Sequence, residues 1–290
     1  MVTETGSRAV PTAHALTTVP TARASTVLGR AGLAGAALAC ALAASACSAA
    51  PAGVSVAADP AAAVRSAGTT SMKIGTAEVA TSVAMTADGK TDQFSGTGAF
   101  DFAKQLGSIT LSVPPDVSAQ STLDEVVTPS TLYMRPSGST GKWVEVDSAR
   151  LADGDLISAG YTSPILAFAM LRGAGASGGK VSYAGQDKVY DVPVAHYTGT
   201  LNLTAAASAA PAPESTALAA AGHSFTKQTV PFDVYLDAQG QVLRFVAHYQ
   251  FPAPAPAKGL VSIVSSTDLY DLGKPVSVAA PAAADVLRAN

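Results

Sequence analysis

Alternation of apolar and polar positions is the first pattern in this chain. Val79, Thr81, Val83 and Met85 alternate with Ala80, Ser82 and Ala84, the period-two signature of a half-buried strand. Ala87-Asp88-Gly89-Lys90 predicts a hairpin turn. Residues 93–104 then set Phe94, Gly96, Gly98, Phe100 and Phe102 on one side, and glycines between aromatics predict curvature or a bulge. Further strands are expected over 108–113, 121–127, 131–135 and 142–147, with Pro114-Pro115 and the stretch 136–141 as turns. The period changes at Ser163, a helix cap followed by Pro164 at the first helical position and an apolar run to Leu171, which predicts a buried helix. Residues 173–179 read as a loop, 180–183 and 188–203 as strands, and 204–221 as an alanine-rich helix broken by Pro211 and Pro213. The clearest hairpin runs out over 231–240 and back over 241–251. On its return arm Leu243, Phe245, Ala247, Tyr249 and Phe251 share one face, and Arg244, His248 and Gln250 share the other. A last strand covers 260–266. A short helix over 60–68 is capped by Asp59.

These elements assemble into one α+β domain over residues 61–290: a large curved antiparallel sheet of about ten strands, with two or three helices on its concave face. One apolar helix and one alanine-rich helix are little cover for so wide a sheet. A half-barrel around an apolar hollow is therefore expected.

The N-terminus follows another logic. Residues 31–46 are small or apolar throughout and follow Arg8, Arg23 and Arg30. A positive segment before an apolar one is the pattern of a secretion signal, and the apolar run is short of the roughly 20 residues that a membrane span needs. It ends Ala44-Ser45-Ala46-Cys47, which is similar to a bacterial lipobox, with Ala44 where leucine is commonest. Residues 1–46 are expected to be a signal peptide, Cys47 a lipidated N-terminus, and 47–60 a flexible tether rich in small residues. The alternative is a secreted protein cut near Ala46 with Cys47 incidental. The chain is expected on the outer face of the cell membrane, held by acyl chains.

Composition narrows the function. Over 290 residues, Lys+Arg 18 against Asp+Glu 21 gives a net charge of −3, which is no basic footprint for nucleic acid. Of the two cysteines, Cys40 lies in the apolar run and Cys47 directly after it, so a disulfide framework and a cysteine-rich metal site are excluded.

The order of signal, lipobox, short helix, many strands, central apolar helix, alanine-rich helix and strands resembles the LolA-like lipoproteins of actinobacteria, the LppX/LprG group among them. The phrases that carry the likeness are Phe100-Asp101-Phe102, Leu132-Tyr133-Met134-Arg135 leading to Lys142-Trp143-Val144-Glu145-Val146-Asp147, Val194-Ala195-His196-Tyr197-Thr198-Gly199, Val234-Tyr235-Leu236-Asp237-Ala238-Gln239-Gly240, and Tyr270-Asp271-Leu272-Gly273-Lys274-Pro275-Val276. The resemblance implies a half-barrel that binds a lipid or acyl chain in a hydrophobic cavity, as carrier or holder. It implies no catalytic residue, no cofactor and no metal. Candidate lining residues are Phe94, Phe100, Phe102, Leu132, Met134, Leu166, Met170, Val234 and Phe245. The expected partners are a lipid or acylated ligand, the membrane, and a transporter or another envelope protein, the chain itself being a monomer. Rival readings are a sensing or protein-binding module of the same fold and a structural surface lipoprotein without ligand.

Enzymatic motifs fail on context. Gly173-Ala174-Gly175-Ala176-Ser177-Gly178 matches a dinucleotide loop in letters, but a helix precedes it and a strand follows, the reverse of what phosphate binding needs. Gly222-His223-Ser224-Phe225-Thr226 lacks the final glycine of a hydrolase elbow and the strand before it. His196, His223 and His248 stand at no metal-ligand spacing. Trp143, at the start of a strand, is expected against the core.

Overall fold

The computed structural model describes residues 54–288, except 116, 120, 149, 150, 152, 154, 155, 158 and 254–257. The signal segment 1–46, Cys40 and Cys47 therefore lie outside the described residues.

The chain opens with α1 (Pro60–Ser71), whose first turn is closed by Asp59 accepting from the Ala62 amide at 2.9 Å. Next come β1 (Thr76–Ala87), β2 (Lys90–Asp101), β3 (Leu106–Ser112), β4 (Thr122–Val127), β5 (Thr131–Pro136) and β6 (Trp143–Asp147). An irregular segment leads to α2 (Pro164–Met170). The hairpin β7 (Val181–Val189) and β8 (Val192–Asn202) precedes α3 (Leu203–Ala209) and α4 (Glu214–Ser224). The last elements are β9 (Thr229–Leu236), β10 (Val242–Pro252), β11 (Leu260–Tyr270) and β12 (Val286–Arg288). Among the described residues all the strands join one open sheet, in the order β12-β6-β5-β4-β3-β2-β1-β11-β10-β9-β8-β7. Every pairing is antiparallel except that of β12 with β6.

The helices cover one face. Inner positions of β1 (Ala77, Val79, Val83), β10 (Phe245, Ala247, Tyr249) and β11 (Ile263, Leu269) form one cluster with Val64 of α1, residues 165–170 of α2, and Leu218 of α4. Gly68 permits the closest helix contact: a β-carbon there would stand 2.2 Å from the Phe168 carbonyl oxygen of α2. The Val242 amide donates to Ser71 Oγ at 2.8 Å, which pins the end of α1 over the start of β10.

The segment between β6 and α2 is tied down by polar groups. The Thr162 amide donates to Ser265 Oγ at 3.2 Å, Thr267 Oγ1 donates to the Thr162 carbonyl at 2.9 Å, and the Thr162 hydroxyl meets the Tyr249 hydroxyl at 3.0 Å. Ser265 and Thr267 are polar residues on the inner face of β11. These bonds satisfy them there, where burial without partners costs about 1–3 kcal/mol each.

Several details differ from the sequence expectations. Among the described residues there are twelve strands, against an expectation of about ten. Residues 188–203 are not one strand: the chain turns at Tyr190 and Asp191, with φ of 46° and 63°. Two left-handed residues make the tight turn of a hairpin, a place usually marked by asparagine and glycine, so Tyr-Asp gave no signal. Gly96 and Gly98 make no bulge, because β2 keeps unbroken register with β1 and β3. Glycine is needed at 98 because a β-carbon would fall 1.9 Å from the Ser108 carbonyl oxygen on β3. Register breaks lie instead between Tyr183 and Gly185 on β7 and, on β10, at a bulge between Val242 and Arg244. The β10 bulge sends Val242 into the main core and turns Leu243 out to a small second cluster with Val189 and Val194, away from the face of Phe245. Trp143 is half-buried, and its ring lies under the Arg135 guanidinium at 4.2 Å rather than in the core. Residues 54–59, read as tether, are held: Val54 is buried, its carbonyl accepts from Gln186 Nε2 at 3.3 Å, and the Ala57 amide donates to the Tyr197 hydroxyl at 3.3 Å.

Candidate functional site

The inner face carries a cleft of about 590 Å³, within the usual range for a ligand pocket. Val83 and Met85 from the last turn of the β1 alternation form its floor, next to Phe94 of β2, which sits directly opposite Val83 in register. Phe251 and Pro252 at the end of β10 form one wall. Ser224 and Phe225, where α4 ends, form another. Val117, Asp153, Ile157 and Gly160 from the irregular connections complete the lining. All the strand residues belong to one end of the sheet, because β1 ends where β2, running the other way, begins.

The described lining residues are mainly apolar, with two polar side chains. Asp153 is buried and accepts from the Ile157 amide at 3.0 Å, an anchor for the loop. Ser224 donates to the Ala220 carbonyl at 3.3 Å within α4's own last turn. It ends a helix and does not follow a strand, so it lacks the sharp strand-to-helix turn that exposes a hydrolase nucleophile. No histidine is among the residues lining the cleft. Such a surface can bury hydrocarbon.

Behind the cleft, Phe225 stacks on Tyr249 with ring centroids 5.1 Å apart. Burial pushes the Tyr249 hydroxyl well above its ordinary pKa, against a smaller opposing effect of the hydrogen bond to Thr162. It stays protonated and also donates to the Met170 sulfur at 3.5 Å.

Of the residues singled out in the sequence, the structure places Phe94 in the cleft lining. Phe100, Phe102, Leu132, Met170, Val234 and Phe245 are all 1% exposed or less and lie inside the packed core. Phe102 bridges Phe100 and Phe168, at 6.2 and 5.4 Å, and Phe245 packs against Phe232 at 6.4 Å. Leu166 is buried beside Glu214 at a separate gap of about 40 Å³. Met134 is half-buried against the core's edge. Val83, Met85, Phe225 and Phe251 were missed, although three of them continue the same alternations. What separates lining from core is how far along a strand the helical cover reaches, and alternation does not encode that.

The outer face has its own polar groups. His196 Nε2 lies 2.7 Å from Asp233 Oδ1, and its ring stacks on Tyr235 at 4.3 Å. His196 is thus a partnered surface residue. Among the described residues no group of three or more His, Cys, Asp or Glu side chains is placed to hold a metal, and no helix is long and apolar enough to cross a membrane.

No protein-family model matches the chain, and no curated protein matches it. Among solved structures it is similar to the lipoprotein LppX of Mycobacterium tuberculosis, at 13% identity and a TM-score of 0.46, over 76% of this chain and 97% of that one. It is similar to LprF of Mycobacterium bovis at 13% identity and 0.39, over 77% and 97%. A LolA superfamily protein of Nitrosomonas europaea follows at 10% and 0.34, over 74% and 96%. Likenesses of this degree concern the fold and say nothing of a ligand.

Proposed function

We propose that this chain is an extracytoplasmic lipoprotein, anchored through Cys47, that holds a lipid or acyl chain in the cleft between Val83 and Phe251. The observation that carries the reading is an apolar space of about 590 Å³ on the inner face of the sheet. Burial alone suffices for binding: each methylene moved out of water contributes about 0.8 kcal/mol. No charged constellation is needed for it. The lipobox and the apolar run before it support the anchor.

The test is native mass spectrometry of the protein gently extracted from membranes, together with uptake of a fluorescent fatty acid. A lipid adduct and saturable uptake are expected. Met85→Trp, which fills the cleft floor with an aromatic side chain, weakens uptake at least about tenfold, or about 1.4 kcal/mol. Absence of any adduct, with no uptake by the unmodified protein, defeats the proposal.

A further inference from the structure

The sheet is split at the cleft end. β9 and β10 pair from Leu236–Val242 as far as Phe232–Ala247 and no further. Beyond that point β9 continues alongside β8 through Pro231, Val230 and Thr229, and β10 continues alongside β11 to Pro252. Pro231, which has no N–H to give to a ladder, is the first residue past the last pair. In β9's place, the Thr226 amide donates to the Gln250 carbonyl at 2.9 Å.

The parting leaves a second space of about 430 Å³, with Thr229, Val230 and Pro231 on one lip and His248, Tyr249 and Gln250 on the other. Phe225 lines this space and the main cleft alike, and among the lining residues it is the one they share. The slit is more polar than the cleft. Among the described residues its ionisable side chains are Lys227 and His248, apart from the buried Tyr249 hydroxyl, and no carboxylate is among those that line it. The nearest carboxylate in contact with either is Asp233, 3.9 Å from His248 Nε2 and already held at 2.7 Å by His196. Lys227 is exposed and has no ion-pair partner among the described residues.

We infer that the slit is a headgroup site and side entrance to the cleft. An amphiphile with an anionic head, carboxylate or phosphate, sets its charge against Lys227 and His248 and passes its chain over Phe225 into the space between Val83 and Phe251. A cationic rim beside an apolar hollow discriminates anionic from neutral amphiphiles of equal chain length, which the cleft alone does not do. This rests on the lipid-holding reading above and adds a ligand class to it.

Three probes with the same acyl chain separate the two ideas: palmitate, palmitoyl lysophosphatidate and the neutral monopalmitoylglycerol, each titrated against the full chain. In the double variant Lys227→Gln with His248→Gln, the Kd of the anionic probes rises about tenfold while that of the glyceride stays within about twofold. A loss confined to one anion also supports the site and names the head. Met85→Trp, by contrast, weakens all three. Equal loss for anionic and neutral probes, or no loss for either anion, overturns the headgroup site while leaving the cleft. Failure of every probe to bind the unmodified protein overturns both.

Discussion

The two ends of the inner face are built from the same strands and end differently. Where β1 begins and β11 finishes, Ala77, Val79, Phe245 and Leu269 are 1% exposed or less beneath α1 and α2. Where β1 finishes and β11 begins, Met85, Phe94 and Phe251 are only half-buried, roofed by the last residues of α4 and an irregular segment. Both ends show clean alternation of apolar and polar residues. The difference lies in the cover: at the filled end, helices approach backbone to backbone at Gly68; at the other, among the described residues, α4 meets the cleft only with its last residue, Ser224. A packed core and a binding cleft are thus two outcomes of one strand pattern.

Truncation at each end should separate them most sharply. Phe245→Ala opens a hole in a fully packed region and should cost about 3–5 kcal/mol of unfolding free energy. Phe94→Ala removes a ring that already borders empty space, and should cost about 1 kcal/mol or less by burial of area alone. Urea unfolding of both variants measures this. Equal losses would mean that the cleft collapses on its own walls and that the two ends are energetically alike.

A smaller effect, confined to the filled end, is expected from Gly68→Ala. The added methyl would lie 2.2 Å from the Phe168 carbonyl oxygen, so α1 must withdraw from α2. Overpacking of this kind costs about 1–3 kcal/mol. Because α1 sits away from the cleft, fatty-acid uptake should survive at temperatures where the variant is folded. Loss of uptake in step with stability would show that the two ends communicate.

The sequence carried the strands, the buried helix after Ser163, the break at Pro211 and Pro213, and the inner and outer faces of β10 beyond its bulge, because these follow from local periodicity and caps. It concealed the turn at Tyr190-Asp191, which uses left-handed residues without glycine, and β12, which is three residues long and pairs in parallel with a distant strand. The cleft was only partly legible. Phe94 was visible as an aromatic on the apolar side of β2, as were Phe100 and Phe102, yet those two are core. The segment between β6 and α2 has no period of its own, and its place over Tyr249 and Thr267 depends on hydrogen bonds to residues about a hundred positions away. No local pattern reveals which apolar positions such a segment leaves uncovered.

The outer side of the filled end offers the finest distinction. There Arg244 grips Asp268 through two bonds of 2.6 Å, and Tyr190 meets Tyr270 with centroids 5.0 Å apart. Burial, followed by the charge of Asp268, pushes the Tyr190 hydroxyl up to about 12. A group whose pKa is raised by folding lends stability below its unfolded value, near 10, and loses that contribution as pH rises through the folded value. Stability should therefore fall between about pH 10 and about pH 12, and Tyr190→Phe should flatten part of that fall. The remainder belongs to Tyr235, Tyr249 and Tyr270, whose hydroxyls are also raised, chiefly by burial. Unfolding curves for the two proteins at pH 9 and pH 11.5 measure the difference. If the slope with pH is unchanged in Tyr190→Phe, the hairpin turn at 190–191 is not docked on β11 in solution, and the outer rim of the filled end is looser than its inner face.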